Sequence, residues 1–545
     1  MNDDIVEELL RNQQALEGER MVWEGHWRQV LRRVLPRQDD IGQQRAQGAA
    51  RTEYIFDSTA PLALDRFSAA MEGMLAPRSE TWHTLTTNNK ELNRLPRVRR
   101  YFEEATSILF HHRYAPHANF ASQFHETMMS LGAIGTGAFM IDEIKGKGLG
   151  YKSIHMGEIF VAEDQHGRID TVHRKFEFTH RQAAQKWGAD KLPEKIKKRL
   201  NSHPFEKSTY LHVIRPRVDR DVDRLDYRGM AIASYYLSCE GKQLMSEGGF
   251  HTMPVPVSRY LTAPRETYGR SPGMQALPDI KMVNEMAKTV LRAVHKAVDP
   301  PLLMSDDGVL GRYQNKPGGL NVGGLDSRGN PLVREMTSNA RLDWAIQVLE
   351  KSRSTINDAF LVTLFQILVD SPDRMTATEV LERMREKGVL LAPAMGRQET
   401  ELLGPCIERE LDILGRAGYL PDMPGELVEA GGEYQPMYDN PLSRAQRANQ
   451  ATGFTNWVSA VTPIAQVPGG EKIFQMVDIG KAARGLADVL GVPIGWMKDE
   501  DQVAAEDADA AQQQQLAQLV DAIPAAAKAS ADFARADQMA GAAVA

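Results

Sequence analysis

The stretch "YGRSPGMQALPDIKMVNEMAKTV", Tyr268 to Val290, begins as a turn and ends as an amphipathic helix. Gly269, Pro272 and Gly273 lie within five residues and mark a stiff turn. Pro278 suits the first turn of a helix, where its missing N–H has no intrahelical partner to lose. From there Ile280, Val283, Met286, Ala287, Val290, Leu291, Val294, Ala297 and Val298 recur as one apolar stripe. Lys281, Lys288, Arg292, His295 and Lys296 gather on another face. The pattern predicts a rod of ~30 Å over 278–298. Asp299, Pro300 and Pro301 stop it, since a residue before proline disfavours helix.

Beyond the prolines comes a glycine-rich excursion, "SDDGVLGRYQNKPGGLNVGGLDSRGNPLVREM" (305–336), too rich in glycine for its strands to be assigned. A second helix follows, "NARLDWAIQVLEKSRSTINDAF", with Leu342, Ile346, Leu349, Arg353, Ile356 and Phe360 at spacings of three or four. Two long helices thus flank a compact head. The apolar run "AFLVTLFQILV" (359–369) would reach ~16 Å as a helix, about half of a ~30 Å hydrocarbon layer. "TATE" (376–379) has the form of a capping box, opening a helix to about Gly415. Pro393, Gly396, Gly404 and Pro405 inside it predict a kink or break.

Working backwards, residues 1 to about 130 read as helical. "FDSTAPLALDRFSAAMEGML" places Ser58 or Thr59 as cap before Leu64, Phe67, Met71 and Leu75 on one face. From about 134 to 265 the period changes. "TGAFMIDEI", "YKSIHMGEIFVAE", "IDTVHRKFEFT", "TYLHVIRPRV" and "MAIASYYLS" read as strands, interrupted by a helix at "HRQAAQKWG". The fold class is α+β, mainly helical. The last hundred residues read as helices that end in an Ala/Gln/Asp-rich tail from about Gln502.

At 545 residues the chain exceeds one hydrophobic core, and about two to four domains are expected. Its net charge of −7 argues against coating nucleic acid with the whole surface, though a local patch is compatible with contact. Two cysteines, Cys239 and Cys406, give no disulfide framework, and synthesis in a reducing cytoplasm follows. The acidic, amphipathic N-terminus has no signal-peptide pattern.

Catalytic motifs are absent. No glycine-rich loop ends in Gly-Lys-Ser/Thr. Gly132, Gly135 and Gly137 reverse the dinucleotide fingerprint and read as a turn from helix into strand. His111, His112, His117 and His125 offer imidazoles, but Met129 stands where a zinc hydrolase needs its second histidine. "DRDVDRLD" (219–226) lacks the offsets of a calcium loop and reads as a hairpin tip. "RLPRVRR" (94–100) and "KLPEKIKKR" (191–199) read as solvated basic faces. No catalytic residue, metal site or cofactor is expected.

The order of parts resembles the portal, or head-to-tail connector, family of short-tailed (podovirus-type) bacteriophages. The likeness is carried by "FDSTAPLALDRFSAAMEGMLAPRSETWHTL" (56–85), "LGAIGTGAFMI" (131–141) and "YGRSPGMQALPDIKMVNEM" (268–286). "MTATEVLERMREK" (375–387), "LLGPCIERELDIL" (402–414) and "DNPLSRAQRA" (439–448) continue it. The resemblance implies a ring, usually of twelve subunits, at a capsid vertex of the virion, assembled in the host cytoplasm. It maps a wing onto 1–277, stem helices onto 278–298 and 340–360, and a clip onto 299–339. A tunnel loop falls at 361–375, a kinked wing helix at 376–420, a crown at 421–501 and the tail at 502–545.

That likeness further implies double-stranded DNA in the channel, during packaging and ejection. Implied partners are the terminase large subunit, scaffolding protein, major capsid protein, tail adaptor and ejection proteins, with no membrane. Candidates facing the duplex are Lys281, Lys288, Arg292, Lys296, Lys351 and Arg374. Candidates for packing between subunits are Ile280, Val283, Val290, Leu291, Val294, Leu349 and Ile356, on a stripe expected to be buried only on assembly. Twelve copies of a −7 chain carry roughly −84, a field that repels phosphate and favours sliding over gripping. The alternatives are a ring-forming tail or adaptor protein without a packaging role, and a metal-dependent hydrolase built on the four histidines.

Overall fold

The computed structural model describes residues 2–42, 48–78, 80–299, 302–304, 320, 322, 325, 327–335, 342–363, 392–439, 453, 456–463 and 480. The chain divides into two compact units. The first holds Met1–Leu92 and Val98–Ser443; the second holds Asn93–Arg97 with Arg444–Ala545. Of the second unit's C-terminal segment, the helical residues 456–463 form the longest described stretch.

Among the described residues the helices in chain order include α1 (Asn2–Val34), α2 (Thr59–Leu75), α3 (Pro96–Arg113), α4 (Phe120–Ile134), α5 (His180–Trp187) and α6 (Glu194–Leu200). Then come α7 (Pro272–Gln275), α8 (Leu277–Val298), α9 (Leu342–Ala359), α10 (Gly404–Arg416) and α11 (Gly425–Glu429). The strands are β1 (His83–Thr86), β2 (Thr136–Ile144), β3 (Gly148–Ser153), β4 (Ile159–Glu163), β5 (Ile169–Thr179) and β6 (Lys207–Pro216). β7 (Ile232–Ser238), β8 (Gln243–Phe250), β9 (Val257–Arg259), β10 (Leu302–Met304), β11 (Val333–Glu335) and β12 (Gln435–Tyr438) follow among the described residues.

Strands β4 to β8 form an antiparallel meander in chain order. Alternation splits its side chains between two faces. On one face Leu211, Val213, Tyr235 and Leu237 meet Val6 and Leu9 of α1. On the other, Phe176, Tyr210 and Met245 meet Ala183, Leu192 and Ile196 of the α5–α6 cover. The sheet is therefore sandwiched. α5 is opened by a capping box, Thr179 with Gln182, that the sequence reading did not anticipate. The stretch read as one strand over 151–163 breaks into β3 and β4 around a turn at Met156–Glu158. There the Arg20 guanidinium of α1 collects the carbonyls of Met156 and Gly157, each at 3.1 Å.

A smaller sheet, β3-β2-β9, lies beside α4 within the main core with α2. Three buried polar groups bolt α10 to this sheet and to α3. Arg113 of α3 donates to Glu410 of α10 at 3.0 and 2.5 Å, and the Tyr151 hydroxyl of β3 donates to the same carboxylate at 2.5 Å. Burial works against the Arg113 charge, but the Glu410 carboxylate outweighs it and raises the guanidinium's pKa. The expected kink is a π turn, Glu399–Leu403, entering α10 at Gly404-Pro405. It presents Glu401 to buried Arg259 at 2.8 Å.

One boundary moves. Residues 421–439, read with the C-terminal crown, carry α11 and β12, and β12 pairs antiparallel with β1, His83 opposite Tyr438. They belong to the first unit through Ser443. The pairing joins residues 349 apart, a separation to which periodicity is blind. The capping box at 376–379, most of the 361–375 loop, most of the 421–501 span and all of the 502–545 tail lie outside the described residues.

Candidate functional site

The functional candidate is the hairpin of α8 and α9 with the turn that launches it. That turn crosses the α4–β2 junction backbone to backbone. Gly135, at φ +79°, ends α4 in the left-handed region, which glycine adopts without strain. A Cβ there would stand 2.4 Å from the Gly269 carbonyl oxygen, and one on Gly269 would stand 2.0 Å from that of Gly135. Neither position admits a side chain. Ser271 secures the crossing: its hydroxyl donates to the Ala133 carbonyl at 2.7 Å and accepts the Met274 amide at 2.9 Å, capping α7. Tyr268 packs edge-on to Trp27 of α1, ring centres 5.1 Å apart.

From this base α8 runs 22 residues, with Pro278 in its first turn as the sequence implied. Its stripe divides into two halves. Ile280, Val283 and Asn284 are buried within the chain, as are Leu349, Ile356 and Phe360 around α9. Ile280, Val283, Leu349 and Ile356 are therefore not surfaces kept for a second copy, which corrects the expectation of burial only on assembly. The reason is geometric, since the proximal hairpin rests on α2 and α4's core. Further out cover fails: Leu291 is 50% exposed, Val294 40% and Val298 80%, with Trp344 at 68%, Ile346 at 49% and Val348 at 43% on α9. Val290 is half-buried between the two regimes.

The basic residues divide likewise. Lys281 donates to Gln29 of α1 at 2.6 Å, and Lys288 lies 5.0 Å from the Phe56 ring centre, so both engage the chain's own body. Arg292, Lys296 and Lys351 are exposed, and among the described residues no carboxylate pairs with them. Arg374 lies outside the described residues. At the hairpin's head, β10 and β11 form a short antiparallel ribbon, with a further bridge from Leu325 to Pro331. Leu303, Leu320, Val322 and Leu325 are exposed around it.

Sequence reasoning missed a polar joint at the hairpin's seat. Ser58 makes no capping bond; Asp57 does, its Oδ1 accepting the Thr59 amide at 2.9 Å. Its Oδ2 accepts Nε and Nη2 of Arg353 on α9, at 2.9 and 2.6 Å. Asn284 of α8 accepts the Phe56 and Asp57 amides at 2.8 and 3.2 Å and donates to the Ile280 carbonyl at 2.8 Å. Burial works against the Asp57 charge, yet the hydrogen bonds from Thr59 and the Arg353 guanidinium hold its pKa below the usual carboxylate value. The available signal was an asparagine interrupting an apolar stripe at a buried position.

His111 and His112 lie side by side, ring centres 5.6 Å apart and near His117, but the four histidines form no ligand set. His117 meets the Lys147 carbonyl at 2.8 Å, while His125 meets Glu72 at 2.9 Å. Among the described residues no group of three or more His, Cys, Asp or Glu is placed to hold a metal, and no helix is long and apolar enough to cross a membrane.

Residues 6–497 match the sequence pattern of the family described as bacteriophage head to tail connecting protein. A "Probable portal protein" of Bordetella phage BPP-1 is 28% identical over 517 residues, covering 94% of this chain and 92% of that protein. A "Portal protein" of Salmonella phage epsilon15 is 25% identical over 535 residues, covering 95% and 94%. A chain of the solved "Virion of native gene transfer agent (GTA) particle" aligns at TM-score 0.33 and 12% identity, over 79% of this chain and 95% of that one.

Proposed function

The chain belongs to the bacteriophage head to tail connecting protein family and has the function of a phage portal, and we propose that it performs it as a closed ring of copies around a DNA channel. The family's role is structural rather than enzymatic. In this reading the α8–α9 hairpin is the stem, the β10–β11 head is the clip, and the sandwich with its helices is the wing. Twelve copies close the ring at one capsid vertex, after assembly in the host cytoplasm. The clip and the C-terminal helices meet the terminase, scaffolding protein, major capsid protein, tail adaptor and ejection proteins.

One observation carries the reading. The distal hairpin exposes Leu291, Val294, Val298, Trp344, Ile346 and Val348 on two helices whose proximal residues Ile280, Val283, Ile356 and Phe360 are buried. So many large apolar side chains exposed along one arm are costly in isolation and make the arm an interaction region. Side-by-side packing of identical hairpins covers it in every copy and closes by rotation. Arg292, Lys296 and Lys351 are then the candidates for the lumen. So few cations per copy, within a strongly anionic ring, conduct a duplex without clamping it.

Negative-stain microscopy of the purified chain tests this. Rings with a hole wide enough for a duplex are expected. A monomer at every salt and protein concentration would refute the ring.

A further inference from the structure

We propose that Asp57 is a positioning residue for the hairpin: by tying α2, α8 and α9 together at one point, it sets the angle at which the exposed distal arm leaves the body. The consequence for a ring rests on the portal reading; the joint itself stands on the chain's own geometry. Asp57 is 7% exposed and Asn284 3%. Three helices converge on the two-residue segment Phe56–Asp57, each through a directed polar contact: the Thr59 amide from α2, Asn284 from α8 and Arg353 from α9.

Apolar contacts around the joint already supply adhesion, and they do so without direction. A buried carboxylate adds a desolvation cost that well-packed leucine or methionine would avoid. What it supplies instead is geometry. Two N–H groups of Arg353 on one oxygen and two backbone amides on the Asn284 oxygen fix both distance and angle. Beyond the joint the arm runs from Glu285 to Val298 along α8. At 1.5 Å per residue it is ~20 Å long, so a tilt of about 10° moves its tip by ~3–4 Å. On the portal reading, a displacement of that size at every subunit bears directly on whether the ring closes.

The test uses full-length chain carrying Leu291→Asp, which keeps it monomeric on the portal reading, with Cys239→Ser to leave buried Cys406 as the remaining native thiol. Spin labels at Val22→Cys and Val298→Cys, both strongly exposed, report the body-to-tip distance by pulsed electron resonance. A single narrow distribution is expected with Asp57 intact. Asp57→Asn and Arg353→Leu should each shift or broaden it by about 3 Å or more, and Arg353→Lys should fall between. An unchanged distribution in Arg353→Leu, or in Arg353→Lys, which keeps a charge at this partly exposed position, would overturn the proposal even if Asp57→Asn failed to fold. Rings of the unlabelled chain are scored separately by microscopy, so failure of the ring reading leaves the distance result standing.

Discussion

Lys242 occupies φ +44° in the turn between β7 and β8, with its side chain exposed. A left-handed backbone costs a non-glycine residue roughly 1–2 kcal/mol, and an exposed lysine has little packing to lose. Lys242→Gly should therefore raise stability by about 0.5–1 kcal/mol in urea unfolding, once the looser unfolded chain is allowed for. His173 makes a second prediction. Burial, with the Arg215 charge nearby, pushes its imidazole down to about 4, and its Nδ1 faces Gln13 of α1 at 2.9 Å. The folded pKa lies below the unfolded ~6.5, so the unfolded chain binds the extra proton. The stability is present above pH ~6.5 and is lost as pH falls towards ~4. His173→Gln should flatten that part of the pH–stability profile while lowering stability at pH 7. Neither residue was legible beforehand. A positive φ on lysine leaves no trace in composition, and the burial of His173 depends on α1 reaching the sheet from 160 positions away.

Among the elements, legibility followed how local the cause was. β5 was read within its observed bounds because alternation is written into "IDTVHRKFEFT". The turn at Gly269–Gly273 was likewise visible, but not its crossing over Gly135, since close approach belongs to two distant segments at once. The hairpin stripe was read whole, while its division into covered and bare halves depends on where α2 and the Asp57 joint end. That division gives opposite expectations for two similar substitutions. Val283→Asp buries an unpaired charge in the chain's own core and should destabilise the monomer by several kcal/mol. Leu291→Asp, at a half-exposed position, should leave the melting temperature nearly unchanged and abolish rings in microscopy. Equal effects of both on the monomer would contradict the division. The buried Glu410 bolt between α3, β3 and α10 can be tested in the same way. Glu410→Ala strands a buried Arg113 charge and should cost about 3–5 kcal/mol by chemical denaturation.

For the whole molecule, the charge balance predicts function more directly than any side chain. Repulsion summed over a ring of anionic copies leaves few sites for phosphate, so assembled rings should bind linear duplex weakly in filter retention at 0.15 M salt. Raising salt should change that little. Tight retention with a steep salt slope would place far more than Arg292, Lys296 and Lys351 on the lumen. Six sequence blocks in order pointed to the family because order survives where identity has fallen to 25–28%.

The β1–β12 ribbon has a consequence for synthesis. The segment that zips onto His83–Thr86 leaves the ribosome some 349 residues later. At ~5–20 residues per second that is roughly 20–70 s of translation with one strand edge waiting. Neighbouring nascent chains on a polysome expose the same edge in the same interval. A host trigger-factor-like holdase that covers the waiting edge should therefore raise the yield of correctly closed chains more than any change made to the finished fold.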